Sequence, residues 1–266
     1  MPKPRRPKLG QHFLADVRYR SRIVQALGLR PDDLVIEIGP GHGAITPLVA
    51  AQVRQVAAVE LDPALAAELQ QKFQQEPGVE VINADILATD LAVLCRRFQA
   101  RECFVFGNLP YYITSPIIHH LLAFAGSIRA MGLLVQREVA ERLAARPGMR
   151  DYGYLTVLAG LYASPRIAFE VPPGAFSPPP KVHSALVCFA MHSPDARIGR
   201  GRERKFQTFL KQCFAHKRKK LLNCLAEAYP RARVERALER LTVPLKARAE
   251  ELSLNDFISL FSNLCL

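Results

Sequence analysis

The sequence predicts an α/β protein, with a doubly wound parallel sheet followed by a small C-terminal all-helical domain. Three observations carry this. From Asp33 to Gln136, short apolar runs alternate with longer amphipathic ones, the pattern of strand–helix–strand units. A Pro-rich interval, "PPGAFSPPPK", separates two later strand-like runs and suits neither a helix nor a central strand. From about Lys205 onward the periodicity is helical only.

Taken in order, residues 1–15 read as an extended basic arm broken by Pro2, Pro4 and Pro7. Asp16 caps a helix that runs to about Leu27, with Val17, Ile23, Val24 and Leu27 on one side. "DLVIEIG" is a buried strand. "AITPLVAAQ" is a helix and "QVAAVELD" a second strand. "PALAAELQQKF" is a helix with Pro63 in its first turn and Asp62 as its cap. "GVEVINAD" is the third strand, "DLAVLCRRF" a short helix and "CFVFGN" the fourth strand. Pro116 is expected to open the helix "PIIHHLLAF", and "IRAMGLLVQ" is the fifth strand. Two helices follow, "REVAERLAAR" and "YLTVLAGLYA". The strands "PRIAFEV" and "KVHSALVCFAM" are expected to form a hairpin-like edge on the sheet. "HSPDARIGRGRER" reads as a linker. The helical runs "KFQTFLKQCFAHKRKKLLNCLAEAY", "RVERALERL" and "LSLNDFISLFSNL" come last. The expected domains are a basic arm at 1–15, a ligand-binding α/β domain at 16–191 and a helical domain at 192–266.

The chain has 266 residues, 49% of them hydrophobic, enough for a full core. No run approaches the ~18 apolar residues of a membrane helix. The basic N-terminus is followed by no apolar segment, so it does not read as a secretory signal. Six cysteines (95, 103, 188, 213, 224 and 265) form no CxxC pair and read as reduced thiols of a cytoplasmic protein, with no metal site expected. The formal charge of +12 favours a polyanionic partner. It is clustered in the first ten residues, in "GRGRERK" and in "HKRKK".

Ligands of doubly wound sheets bind beyond the carboxyl ends of the strands. The first strand ends in "EIGPGHGAIT", where Gly39, Gly41 and Gly43 permit close backbone approach. The spacing is GxGxG rather than GxGxxG, and alone it is also a tight glycine turn. The second strand ends in Glu60, about 20 residues beyond the loop, where an acid can accept both ribose hydroxyls. The third ends at Asp85, a candidate acceptor for an adenine amine and equally a turn cap. The fourth ends in "GNLPYY". Four ligand-competent strand ends in succession point to a nucleoside ligand, yet a nicotinamide enzyme has no need of Asn-Leu-Pro-Tyr.

That tetrapeptide suits methyl transfer to an adenine amine. The amine's lone pair is delocalised into the ring. Two acceptors aimed at its N–H bonds favour a pyramidal nitrogen with a localised pair. The Asn108 side-chain oxygen is one; the carbonyl of Leu109 or Pro110 is the other. Pro110 stiffens the loop, and Tyr111 offers a stacking face worth about 1–3 kcal/mol per base. A neutral site also suits a sulfonium donor.

"LGQHFL", "EIGPGHGAIT", "VELD", "NADIL", "GNLPYYITSPI", "AFSPPPKVHSAL" and "CFAHKRKKLLN" resemble, in order and spacing, the small-subunit ribosomal RNA adenine dimethyltransferases, the kasugamycin-resistance family. The resemblance spans nearly the whole chain. It implies a Rossmann-like methyltransferase sheet, S-adenosylmethionine as donor without a metal, and N6,N6-dimethylation of two adjacent adenines near the 3′ end of small-subunit (16S) rRNA. It implies that Gln11, His12 and Leu14, with Gly39, contact the donor's methionine part. Glu60 then binds its ribose and Asp85 its adenine, Asn108 faces the methyl group and target amine, and Phe176 packs near the target base opposite Tyr111. Two positions depart from the family pattern. His12 stands where Asn is typical, and His183 where Asp is usual. His42 in the glycine loop reads as a spacer.

The stretch from Arg202 to Lys220 is expected to be helical, with Phe206 and Phe209 in the core. Lys217, Arg218, Lys219 and Lys220 are candidate phosphate contacts on the small-subunit RNA or its precursor particle, as is the N-terminal arm. The rivals are a large-subunit rRNA or DNA adenine methylase, and a noncatalytic nucleic-acid-binding relative. Intact Gly39, Glu60, Asp85 and "NLPY" weigh against the latter.

Overall fold

The computed structural model describes residues 12–193, 195–199, 201–216 and 218–265. The chain divides into two compact units. The first comprises residues up to Ala140 together with Arg166–Met191; the second comprises Glu141–Pro165 and His192–Leu266. Sequence reading set the boundary only near 191. The stretch 141–165, expected in the α/β domain, falls with the C-terminal helices instead.

The strands of the main sheet are β2 (Leu34–Ile38), β3 (Gln55–Glu60), β4 (Val79–Asn83), β5 (Cys103–Asn108), β6 (Ile128–Gln136), β7 (Ala163–Val171) and β9 (Ser184–Met191). Their order is β4-β3-β2-β5-β6-β9-β7. Pairing is parallel from β4 to β6 and antiparallel between β6 and β9. The last two strand-like runs are therefore neighbours, as expected. All five residues of β2 are buried, as for a parallel strand covered on both faces.

A second, two-stranded sheet was not foreseen. β1 (Phe13–Leu14) pairs antiparallel with β8 (Phe176–Ser177), in the register Phe13 with Ser177 and Leu14 with Phe176. It ties the end of the expected arm to the Pro-rich interval. Residues 1–11, including Gln11 and most of the arm, lie outside the described residues, as does Lys217.

Two helices of the first unit start at the caps read from sequence, Asp16 and Asp62. Helix α1 (Val17–Leu27) is capped by Asp16, whose carboxylate accepts from Arg18 N, and it ends at left-handed Gly28. Its Ile23, Val24 and Leu27 join Val35, Val56, Phe104 and Leu134 in the core. Packing there is close enough that a Cβ at Gly132 would lie 2.2 Å from a Leu27 methyl carbon. Helix α2 (Thr46–Ala50) is shorter than expected. Helix α3 (Pro63–Lys72) is capped by Asp62 and α4 (Leu91–Arg97) by Asp90. Helix α5 (Thr114–Ala123) starts two residues before Pro116, because the Thr114 hydroxyl donates to Pro110 O across the entering turn.

Later helices are α6 (Arg137–Ala144), α7 (Tyr154–Tyr162), α8 (Asp195–Ile198), α9 (Glu203–Cys213), α10 (Leu221–Leu225), α11 (Arg231–Arg240) and α12 (Leu254–Cys265). The expected continuous helix through "HKRKK" is interrupted. Helix α9 stops at Cys213, and Arg218, Lys219 and Lys220 lie exposed in the connection to α10. Phe206 and Phe209 are buried, as expected, around Phe261, with the Phe206 and Phe261 rings edge-to-face at 5.2 Å. Among the described residues no helix is long and apolar enough to cross a membrane.

Candidate active site

Strand register sets the site. Ile38 lies opposite both Val59 and Gly107, and Glu60 lies opposite Asn83. The residues closing β2, β3, β4 and β5 therefore come level where the strand order reverses, the switch point of a doubly wound sheet. Gly39, Glu60, Asp85 and Asn108 line one cleft there, together with His12, Leu109, Pro110, Tyr111 and Tyr112. Counting the open solvent at its mouth, the cleft encloses about 770 Å3. Among the described residues that line it there is no Lys or Arg.

Glu60 is 2% exposed, not a solvated loop acid. Its Oε2 accepts from Gly41 N at 3.0 Å and its Oε1 from Asp62 N at 2.9 Å. Gly41 thus stands behind the acid and does not itself line the cleft. Each carboxylate oxygen keeps a lone pair for a ligand hydroxyl. Asp85 Oδ1 caps the turn Ile86–Ala88 by accepting from Leu87 N at 2.8 Å, and the residue lines the cleft.

Asn108 closes β5. Its Nδ2 donates to His12 O at 2.9 Å, and among the described residues no donor reaches Oδ1. Pro110 O already accepts from Ile113 N and from the Thr114 hydroxyl. Among the described residues no donor reaches Leu109 O. Of the two carbonyls left open by sequence, Leu109 is the one available. The Tyr111 hydroxyl is bonded to Ser184 Oγ at 2.8 Å. Burial raises its pKa, opposed by that bond.

Not every expected residue reaches the cleft. Leu14 is 3% and Phe176 4% exposed, and both belong to the hydrophobic core. Phe176 pairs with Leu14 across the small sheet and is not among the residues that line the cleft. His183 is half exposed, with Nδ1 3.6 Å from Glu170. His42 faces Glu68 at 3.0 Å, outside the cleft lining.

Sequence reading missed two features. Glu37 is buried behind the glycine loop, and burial, the largest influence, raises its carboxyl to about 7. Its apolar neighbours in "LVIEIG" were the signal. His12 also does more than supply backbone. Its Nδ1 is 2.8 Å from Pro178 O, and its ring centroid lies 5.5 Å from that of Tyr111.

A sheet of this order, with a glycine turn, a buried acid and a neutral Asn-Leu-Pro-Tyr loop at successive strand ends, defines a Rossmann-like methyltransferase. Comparison narrows the class. The chain belongs to the ribosomal RNA adenine dimethylase family, whose family model matches residues 3–265. It is 45% identical over 260 residues to a ribosomal RNA small subunit methyltransferase A of Acidobacterium capsulatum, covering 97% of this chain and 91% of the relative. A protein of the same name from Koribacter versatilis is 39% identical, covering 98% and 94%. Among solved structures, a dimethyladenosine transferase from Plasmodium falciparum superposes with a TM-score of 0.80 at 25% identity, covering 94% and 96%. The 23S rRNA methyltransferase ErmE does so with 0.72 at 31% identity, covering 96% and 100%.

Proposed function

We propose that the enzyme transfers methyl groups from S-adenosylmethionine to the N6 amines of two adjacent adenines near the 3′ end of small-subunit (16S) rRNA. The product is N6,N6-dimethyladenosine, made in the cytoplasm during small-subunit biogenesis. The observation that carries the reading is the Asn108 amide. With Nδ2 tied back to His12 O, Oδ1 is the atom left to accept from a target N–H.

The cleft's chemistry fits the donor. A sulfonium cation is tolerated where two carboxylates and, among the described residues, no Lys or Arg line the walls. Glu60 takes the ribose hydroxyls on its remaining lone pairs, and Asp85 takes the adenine amine. Gly39 and the segment at His12 lie at the methionine end. The donor supplies an activated methyl group, and the chain supplies positioning. Asn108 Oδ1 and Leu109 O accept from the two N–H bonds of the target amine. Pro110 holds that carbonyl in place, and Tyr111 stacks on the base. RNA phosphates contact the N-terminal arm and the Lys217–Lys220 connection.

The test offers labelled donor to undermethylated small subunits, large subunits and duplex DNA, then maps dimethyladenosine. Label confined to adjacent adenines of the small subunit is expected; label on the other two substrates would move the reading to them. Asn108→Ala is expected to abolish transfer while changing donor affinity less than about threefold. Near-normal turnover by that variant would overturn the amine-positioning role.

A further inference from the structure

We infer that Ser184 is a positioning residue for the reaction, acting through Tyr111 by holding that ring where it stacks on the target adenine. The inference deepens the proposed function and rests on its reading of Tyr111.

Ser184 opens β9 and is 1% exposed. Ala185, Leu186 and Val187, which follow it, are buried and apolar. A hydroxyl at the head of such a run needs a partner, because a buried polar group left unpaired is costly. The Tyr111 phenol supplies it, 2.8 Å from Ser184 Oγ. Both ends of this bond hang from the same strand. Leu109 N donates to Leu134 O at 3.0 Å, which fixes the loop to β6. Ser184 lies opposite Gln136, two residues further along β6. The bond therefore ties the loop to the sheet within one frame. A serine also brings no charge to a cleft lined, among the described residues, by no Lys or Arg.

What the bond controls follows from the shape of tyrosine. The ring turns about two bonds, Cα–Cβ and Cβ–Cγ. The phenol oxygen lies on the second axis, so holding it fixes where the ring points but not how it spins. The His12 ring limits the spin, its centroid 5.5 Å away and its plane 30° from that of Tyr111. Tyr111 itself starts a three-residue turn, Tyr111–Ile113, that has no side-chain cap. The far end of the ring is therefore where the sheet takes hold of it. Tyr112 gives the contrast. It lines the same cleft and is 58% exposed, and among the described residues nothing bonds to its hydroxyl. Of two adjacent tyrosines, the sheet holds one. A base stacked on that ring moves as the ring moves and carries its amine with it. Transfer in line with the sulfur–methyl bond tolerates little such movement, so a loose ring costs rate.

The test is a double-mutant cycle on Ser184→Ala and Tyr111→Phe, read by single-turnover transfer to undermethylated small subunits at saturating S-adenosylmethionine. Phe keeps the stacking face and removes the hydroxyl. Each single variant is expected to lose about 10-fold in maximal rate. The subunit concentration at half-maximal rate, and donor affinity by calorimetry, are expected to change less than about threefold, since phosphate contacts and the donor's own groups set them. The double variant is expected to lose no more than either single one, because the second change finds the bond already gone. Ser184→Ala at the wild-type rate overturns the proposal. So does a double loss equal to the product of the single ones, or a fall in donor affinity as large as the fall in rate, which marks general damage at the strand end. Failure of the underlying reading looks different. Tyr111→Ala removes the stacking face and is expected to lose more than Tyr111→Phe; if it stays fully active, the reading of Tyr111 falls and this inference with it.

Discussion

Two carboxylates buried at the ends of adjacent strands differ in their hydrogen bonding. Glu60 receives N–H donors from Gly41 and Asp62. Glu37 is 3% exposed, and its Oε2 has no partner. Burial therefore dominates and lifts its carboxyl from 4.5 to about 7, with Thr46 and Lys72 opposing and Glu60 assisting. A carboxyl whose folded pKa exceeds its unfolded one favours the folded state below the unfolded value. That advantage is lost as pH rises through about 7. The shift corresponds to about 3 kcal/mol across the window. Glu37→Gln should accordingly gain on wild type in unfolding free energy between pH 4.5 and pH 8, by denaturant titration. A gap that does not change with pH would contradict the account. Glu60→Ala acts on the ligand instead. Loss of two ribose hydrogen bonds to a carboxylate should weaken S-adenosylmethionine binding about 10- to 100-fold in a calorimetric titration. Unchanged affinity would remove Glu60 from the ribose.

At the scale of the element, the glycine loop makes two demands that one motif conceals. Gly41 has φ +59°, and a Cβ on it would sit 2.6 Å and 2.8 Å from two carbons of the Phe13 ring. Gly39 has φ +62°, but a Cβ there meets nothing within 4 Å, and the residue lines the cleft. Gly41→Ala must therefore displace β1 as well as strain the turn, and should cost about 2–4 kcal/mol of stability. Gly39→Ala should cost about 1 kcal/mol and take its larger toll on donor binding, where the Cβ intrudes. Thermal unfolding and donor titration of both variants check this; equal stability losses would refute the Phe13 contact. The same loop shows what sequence could and could not disclose. Strand ends were legible because β2 to β5 are largely apolar runs closed by a glycine turn or a polar residue. Asp16 and Asp62 were legible as caps because the cap is local. The β1–β8 pairing was not, since two residues on each side carry no periodicity. Beside this pairing His12 O accepts from Asn108 Nδ2, a contact no local pattern announces. The break after Cys213 was equally hidden, because "AHKRKK" has good helix formers and only tertiary context ends the helix. Residues 141–165 read as helices without any mark of which unit they would join.

For the whole molecule, the charge of +12 is an argument about its partner rather than its fold. A chain that neutralises RNA phosphates releases counterions, and the logarithm of its affinity falls with the logarithm of salt by roughly 0.7 to 0.9 for each phosphate engaged. The residues of the basic connection are not equivalent in this respect. All three of Arg218, Lys219 and Lys220 are exposed, but Lys219 lies 3.3 Å from Glu227. A lysine already facing a carboxylate gives up part of that pair when it meets phosphate, so its net contribution is smaller. Replacing Arg218 and Lys220 together by Gln should therefore lower the salt slope for small-subunit RNA by about 1.5. Lys219→Gln alone should lower it by less than about 0.5. Filter binding across a salt series, with donor affinity as the control for folding, reads both. A double variant with the wild-type slope would take the connection out of the RNA interface and leave the remaining basic segments to account for the charge.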